Sequence, residues 1–268
     1  MDSYKEGQVS NLTVVCHIHN EREFLPYFIM HYAPIAKKMV FLDDGSTHKY
    51  KSILVKSPVP YVVIRRESDQ YDAVELDQIC RSLERQVTNG WVITLCVDEL
   101  LLDSPYRIKK MLREAEKAGY EFIDTFPYTM IQMPGEKYIK DKPLAQQFKH
   151  ACRANDGRHR IVHRNQHEAP WGYSVGRHFE FQQHSMYPQS LLLGDFQFAP
   201  RELAFRRRTI DCARVKELDQ GRGYGMPGKP QFSREVYESQ YAQALSLASK
   251  KPWLKPVEEQ GPPLILAI

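Results

Sequence analysis

The sequence lacks what would carry it into or across a membrane. No apolar run approaches the roughly 20 residues that span a bilayer. The first residues, MDSYKEGQ, are polar and carry no secretory core, so a cytoplasmic location is expected. Cysteine is sparse. Its five copies (Cys16, Cys80, Cys96, Cys152, Cys212) show neither zinc-knuckle nor redox spacing and are expected to be free thiols. There is no internal repeat. Excess charge of one sign is small too: 37 Lys and Arg against 33 Asp and Glu leave +4. That argues against a nucleic-acid face and fits an anionic small ligand or a membrane surface better. A hydrophobic content of 42% supplies a full core for one or two domains.

What is present is alternation. Short apolar runs at Asn11 to Cys16, Met39 to Leu42, Tyr61 to Ile64, Trp91 to Val97 and Glu121 to Phe126 predict strands. Between them lie helical spacings. Phe24, Leu25, Phe28, Ile29 and Tyr32 share one face, with Asn20 and Glu23 as a candidate cap and Pro26 suited to a first turn. Asp72 and Glu75 form a capping pair ahead of Leu76, Ile79, Cys80, Leu83 and Val87, and Asn89-Gly90 stops that helix. Ser104-Pro105 opens another, ending at Gly119. Strands and helices taking turns over short links predict an α/β fold with a mostly parallel sheet.

Ligands in such sheets lie beyond the carboxyl ends of the strands. Three predicted strand ends are polar: His19-Asn20-Glu21, Asp43-Asp44-Gly45-Ser46 and Asp98-Glu99. Asp98 and Glu99 end an apolar run built for burial, and strand-end carboxylates there can hold Mg²⁺ or Mn²⁺, which prefer oxygen ligands and bridge phosphates. Asp43 and Asp44 could accept hydrogen bonds from a ribose or base, with Gly45 allowing the sharp turn.

The ordered motifs HNEREFLPYFIMHY, FLDDGST and GWVITLCVDELLL resemble the family-2 glycosyltransferases, in the branch with a DvDEfl-type motif. The resemblance covers roughly residues 11 to 130; later, LLLGDFQF is similar to a strand the family places near its active site. It implies a GT-A fold, a nucleotide-sugar donor (a UDP-sugar), a saccharide or lipid-linked acceptor, Mn²⁺ or Mg²⁺ and inversion at the anomeric carbon. It also implies that Asn20, Glu21, Asp43, Asp44, Gly45 and Ser46 line the donor site and that Asp98 contacts the metal. The chain departs from the pattern at Cys96, where the motif's first acid stands, at His48, which follows Thr47 where the family has Asp, and at Asp195, where relatives often carry His.

The second half, residues 127–232, is rich in His, Arg, Gln, Pro and Gly and is expected to be irregular, forming the acceptor and catalytic half of a single domain over 1–250. Residues 11–126 would form its nucleotide-binding half. Ser233 to Lys250 predicts an amphipathic helix, followed by an extended tail over 251–268. Sugar transfer needs a base for the acceptor hydroxyl. Asp195, in the apolar run Leu191 to Phe196, is the first candidate, with metal ligation or an arginine partner as its other readings; Glu168 is the second. His159, His163 and His167 suit a basic wall better than a zinc site, since no His-Glu-x-x-His occurs. The Gly-rich loop 219–230, with Arg222 and Lys229, could fold over a diphosphate. Arg206-Arg207-Arg208 reads as a solvated basic face, or as a contact for a diphosphate or for a membrane met peripherally. Two rival functions stand beside transfer: a non-catalytic nucleotide-sugar or glycan-binding protein, and a metal-dependent hydrolase built on the histidines.

Overall fold

The structure is a computed structural model. It describes residues 11–68, 70–154, 160–164, 173–174, 176, 178–179, 186–215, 232–255, 260 and 264.

Strand β1 (Leu12–Ile18) is buried along its whole length, as a run without polar alternation requires of a strand covered on both faces. It pairs in parallel with β2 (Lys38–Asp44) on one side and β4 (Trp91–Cys96) on the other, and β2 pairs in parallel with β3 (Tyr61–Arg66). The order β3-β2-β1-β4 therefore reverses at β1, which opens a crevice at the carboxyl ends of β1 and β4. Register keeps these ends level: Ile18 lies beside Asp43, and His17 beside Cys96.

The two faces of β1 belong to two cores. Leu12, Val14, Cys16 and Ile18 pack with Phe24, Phe28 and Tyr32 of the α1 region (α1, Leu25–Tyr32). The same core takes Ile108, Met111, Leu112 and Ala115 of α4 (Pro105–Lys117), an i, i+3, i+4, i+7 stripe. Val15, on the other face, meets Leu76, Cys80 and Leu83 of α3 (Ala73–Arg85). The expected caps of α3 and α4 form: Asp72 accepts from Glu75 N at 3.0 Å and Ser104 from Arg107 N at 3.2 Å. The cap expected for α1 does not. Its N-cap is Phe24, without a side-chain hydrogen bond, Pro26 lies in its first turn, and Asn20 is used elsewhere. Short helix α2 (Lys51–Leu54) follows β2.

Among the described residues, the second half is more regular than expected. β5 (Glu99–Leu101) is a strand of its own after β4. β6 (Phe122–Ile131) runs well past Phe126. The helix α5 (Leu144–Gln147) leads to β7 (His150–Arg153), and β8 (Ile161–Arg164) lies antiparallel between β4 and β6. The hairpin β9 (Tyr173–Ser174) and β10 (His178–Phe179) stands apart from the main sheet. β11 (Leu191–Phe198) lies parallel to β6 and antiparallel to β5, so the mostly parallel inner sheet continues into a mixed half.

Helix α6 (Arg201–Arg214) follows β11, a 14-residue element that weak apolar periodicity hid. The C-terminal amphipathic helix is present as α7 (Arg234–Leu247), capped by Ser233, which accepts from Val236 N at 3.3 Å. Ser249–Lys250 instead forms β12 against β7. The described part of the tail contains a 3₁₀ turn at Pro252–Leu254, and Leu264 bridges to Ala154, so that part is not simply extended.

Gly90 starts β4 at φ +98°, and a Cβ there would run into the backbone carbonyl of Asn11. Gly90→Ala should therefore destabilise the fold by about 1–3 kcal/mol, seen as a melting temperature several degrees lower. An unchanged melting curve would show that the entry into β4 can relax.

Candidate active site

The three polar strand ends do meet at one edge. Each is held there by a different device, and most of the acids already have partners.

At β2, Asp43 and Asp44 have no exposed surface. Asp43 Oδ1 accepts from Ser46 N at 2.9 Å, which closes the Asp-Asp-Gly-Ser turn; Oδ2 accepts from Tyr50 Oη at 2.5 Å and Arg65 at 2.7 Å. Asp44 Oδ2 accepts from Arg214 at 3.0 Å and lies 3.6 Å from His17, while Oδ1 lies 3.4 Å from Arg66. Burial works to raise the Asp44 carboxyl, but His17, Arg214 and Arg66 outweigh it and hold it below its ordinary value. Gly45 turns the chain at φ +72°, and a Cβ there would strike Ser68 O.

At β1, Asn20 adopts φ 55° and acts as a clamp. Its Oδ1 accepts from Thr47 N and His48 N, both at 2.9 Å, while its own N donates to Ser46 Oγ at 2.9 Å. His19 Nδ1 bonds Asp44 O and its Nε2 bonds Asn20 Nδ2, both at 2.8 Å, which fits a neutral ring with the proton on Nδ1. Burial and the nearby Arg214 lower its proton affinity in the same sense. Around this clamp opens a pocket of about 600 Å³, bordered by His19, Asn20, Gly45, Thr47, Glu67, Ser68 and Arg214. That is within the ~300–1,000 Å³ typical of small-molecule sites.

At β4, the two acids part company. Glu99 is a structural anchor. Arg160 reaches both its oxygens, at 2.7 to 3.0 Å, and Cys96 N donates to it at 2.7 Å. Asp98, 5% exposed, accepts from Arg207 Nη1 at 2.6 Å. The same guanidinium donates through Nε to Glu21 of the β1 end at 2.6 Å and lies 3.6 Å from Asp211. Burial pushes both acids up. Arg207 opposes this, Asp195 and Glu99 push Asp98 further up, and Asp211 and Asp98 do the same to Glu21.

Asp195 arrives from the second half. It sits opposite Glu99 in the β11–β5 ladder and beside Thr129 of β6, half-buried, and its Oδ2 accepts from Gln197 Nε2 at 2.8 Å. Arg208 donates to the other end of the same amide, Gln197 Oε1, at 3.3 Å. Sequence reasoning thus brings Asn20, Glu21, Asp43, Asp44, Gly45, Ser46, Asp98 and Asp195 to one edge. Glu168, His159, His167 and the loop 219–230 lie outside the described residues. His163 is fully buried on β8 beside Glu84, at 3.6 Å.

The residue missed is Arg207. The three arginines do not form one solvated basic face. Arg206 is exposed near Glu23, Arg207 is sunk between the strand ends, and Arg208 is buried near the rings of Phe198 and Phe232. The available signal was the helical spacing of Arg207, Asp211 and Arg214, at i, i+4 and i+7 on one face.

A divalent cation at this edge would be held by Asp98. Asp195 and Glu99 lie within electrostatic reach of Asp98, and Asp98 and Asp211 within reach of Glu21, with Arg207 offsetting both. Among the described residues no group of three or more His, Cys, Asp or Glu could hold a metal by itself. Mg²⁺-like ions commonly take one or two carboxylates and complete their shell with phosphate oxygens and water. Among the described residues no helix is long and apolar enough to cross a membrane.

No protein-family model and no curated protein matches the chain. Among solved structures it is similar in part to glucosyl-3-phosphoglycerate synthase from Mycobacterium tuberculosis. The form with Mn²⁺, UDP and glucosyl-3-phosphoglycerate is 17% identical, with 44% of each chain covered and a TM-score of 0.31. The form with Mg²⁺ and UDP is 18% identical, with 44% of each chain covered and a TM-score of 0.32. The form with Mn²⁺, UDP-glucose and phosphoglyceric acid is 17% identical, again with 44% of each chain covered, at a TM-score of 0.31. The match spans less than half the length of those proteins, and a likeness this partial carries no argument about activity.

Asp44 gives a pH test. Its folded proton affinity is depressed, so its stabilising contribution is present above the unfolded value of about 3.9 and is lost as pH falls through the lower folded value. Asp44→Asn should flatten the acid limb of the melting-temperature profile below about pH 4. An acid limb as steep as wild type would mean that the carboxylate is not held by its cationic neighbours.

Proposed function

We propose that this chain is a GT-A-type glycosyltransferase that moves a sugar from a nucleotide-sugar, a UDP-sugar, to a saccharide or lipid-linked acceptor with inversion. The observation that carries the reading is the convergence of Asp98 and Asp195, from opposite halves of the chain, at the carboxyl edge where the strand order reverses; Phe196 N donates to Asp98 O at 2.9 Å. The three ordered motifs at the strand ends support it. In this reading the domain runs over residues 1–250, with residues 11–126 binding the nucleotide and 127–232 the acceptor.

The pocket around Gly45, Thr47 and Ser68 takes the nucleoside. Arg214, held by Asp44, borders it and orients the nucleoside end. Asn20 keeps the loop at 45–48 in place, so the pocket is formed before the donor arrives. Asp98 would hold Mn²⁺ or Mg²⁺. A bound divalent ion there would neutralise the charge that develops on the departing diphosphate. Asp195 takes the proton of the acceptor hydroxyl; Gln197, in turn held by Arg208, fixes the direction of its carboxylate. Glu168 is the alternative base.

One observation favours a second reading, a nucleotide-sugar-binding protein without turnover. Cys96 stands where the motif has its first acid, and Asp98 is bonded to Arg207. Donor hydrolysis separates the two. With UDP-glucose and Mn²⁺, a transferase slowly releases UDP, and a binding protein releases none. UDP with Mn²⁺ should raise the melting temperature in either case. No thermal response to any nucleoside diphosphate at millimolar concentration would sink both.

Within the transferase reading, Asp98→Asn should abolish turnover with the fold retained. Asp195→Asn should slow transfer by ~10²–10⁴-fold while nucleotide affinity barely changes. A stable Asp195→Asn protein with wild-type rate would move the base to Glu168.

A further inference from the structure

Arg207 has three nitrogens, and each faces a different carboxylate. Nε donates to Glu21 and Nη1 to Asp98, both at 2.6 Å, while Nη2 lies 3.6 Å from Asp211. No nitrogen is turned toward the open pocket at the β2 end, whose border includes Arg214 but not Arg207. The side chain is only 16% exposed, so its contacts are screened little by solvent. The oxygen it occupies, Asp98 Oδ2, belongs to the carboxylate that would anchor a divalent ion. A doubly charged ion on that carboxylate would sit within a few ångströms of the guanidinium, and like charges so close repel strongly in a buried setting.

We infer that Arg207 is the resident cation of this site and competes with a divalent metal for Asp98, so that the ion binds weakly until a donor diphosphate helps to recruit it. The proposal rests on the donor-site reading above and adds a residue that sets the metal requirement. Arg207 is a positioning residue in this account: it touches Asp98 and Glu21, not the sugar. The competing account is that Arg207 orients Asp98 as an outer partner of the metal, in which case its loss would weaken the ion's binding.

Binding of Mn²⁺ alone, followed by the electron paramagnetic resonance of the free ion, distinguishes the two without any turnover. Arg207→Gln should bind Mn²⁺ roughly tenfold tighter than wild type. Adding Asp98→Asn to it should remove the gain. Equal or weaker binding by a folded Arg207→Gln protein would overturn the proposal. Loss of Arg207 leaves two buried carboxylates without their cation, so Arg207→Lys is the second variant. A shorter, single-pronged cation cannot span both acids, and this variant should gain affinity by a smaller factor; no gain overturns the proposal equally. Wild type with UDP present is the control for the underlying reading. If it takes up Mn²⁺ while the variants show no gain in free Mn²⁺ binding, only the role of Arg207 fails. If no protein binds Mn²⁺ with or without UDP, the donor site fails and the proposal with it.

Discussion

The site is organised by one guanidinium between two strand ends. Glu21 leaves β1 and Asp98 leaves β4 at the point where the sheet order reverses, and both are almost fully buried. Buried carboxylates are costly unless paired. Arg207 pairs with both, and in doing so ties α6 across the carboxyl edge of the sheet. A pairing of this kind is weak evidence for net stability, because desolvation offsets much of the attraction. Its structural effect is to fix the helix in one place.

The same helix supplies a second tie. Arg214 lies on the face that carries Arg207 and Asp211, and it reaches the Asp44 carboxylate, the Asp44 carbonyl and Ser68 O. Tyr71 N donates to Arg214 O, which joins the end of α6 to the entry of α3. The pocket therefore has one wall made by the β2 loop and another made by a helix from the far half of the chain. The Asn20 clamp works at a different level. It satisfies backbone N–H groups of the loop, and so holds the loop's shape without adding charge.

β11 makes the other long-range connection. Its ladder with β5 puts Asp195 opposite Glu99, and Arg160 neutralises Glu99 from yet another segment. The paired acids of β4 thus divide their roles. Glu99 is held by Arg160 and the Cys96 N–H, while Asp98 pairs with Arg207.

The sequence alone determined the first half of the fold and the edge where the acids collect. Uninterrupted apolar runs and the Asp72 and Ser104 caps are local signals, and local physics reads them directly; the helix opened by Asp72 ends at Arg85, before the stop expected at Asn89-Gly90. It also determined that Asp98 and Asp195 were unusual, since a carboxylate in an apolar strand needs a reason. Tertiary structure decided the partners. Arg207 lies 186 positions along the chain from Glu21 and 109 from Asp98, and no periodicity links residues so distant. Helix α6 was hidden because few of its side chains are both apolar and buried, Leu203 and Ala204 among them, while the face toward the strand ends carries Arg207, Asp211 and Arg214. Only the folded chain shows that what reads as a basic surface run is a cation buried among acids, because charge pairing depends on distance in space and not on distance along the chain.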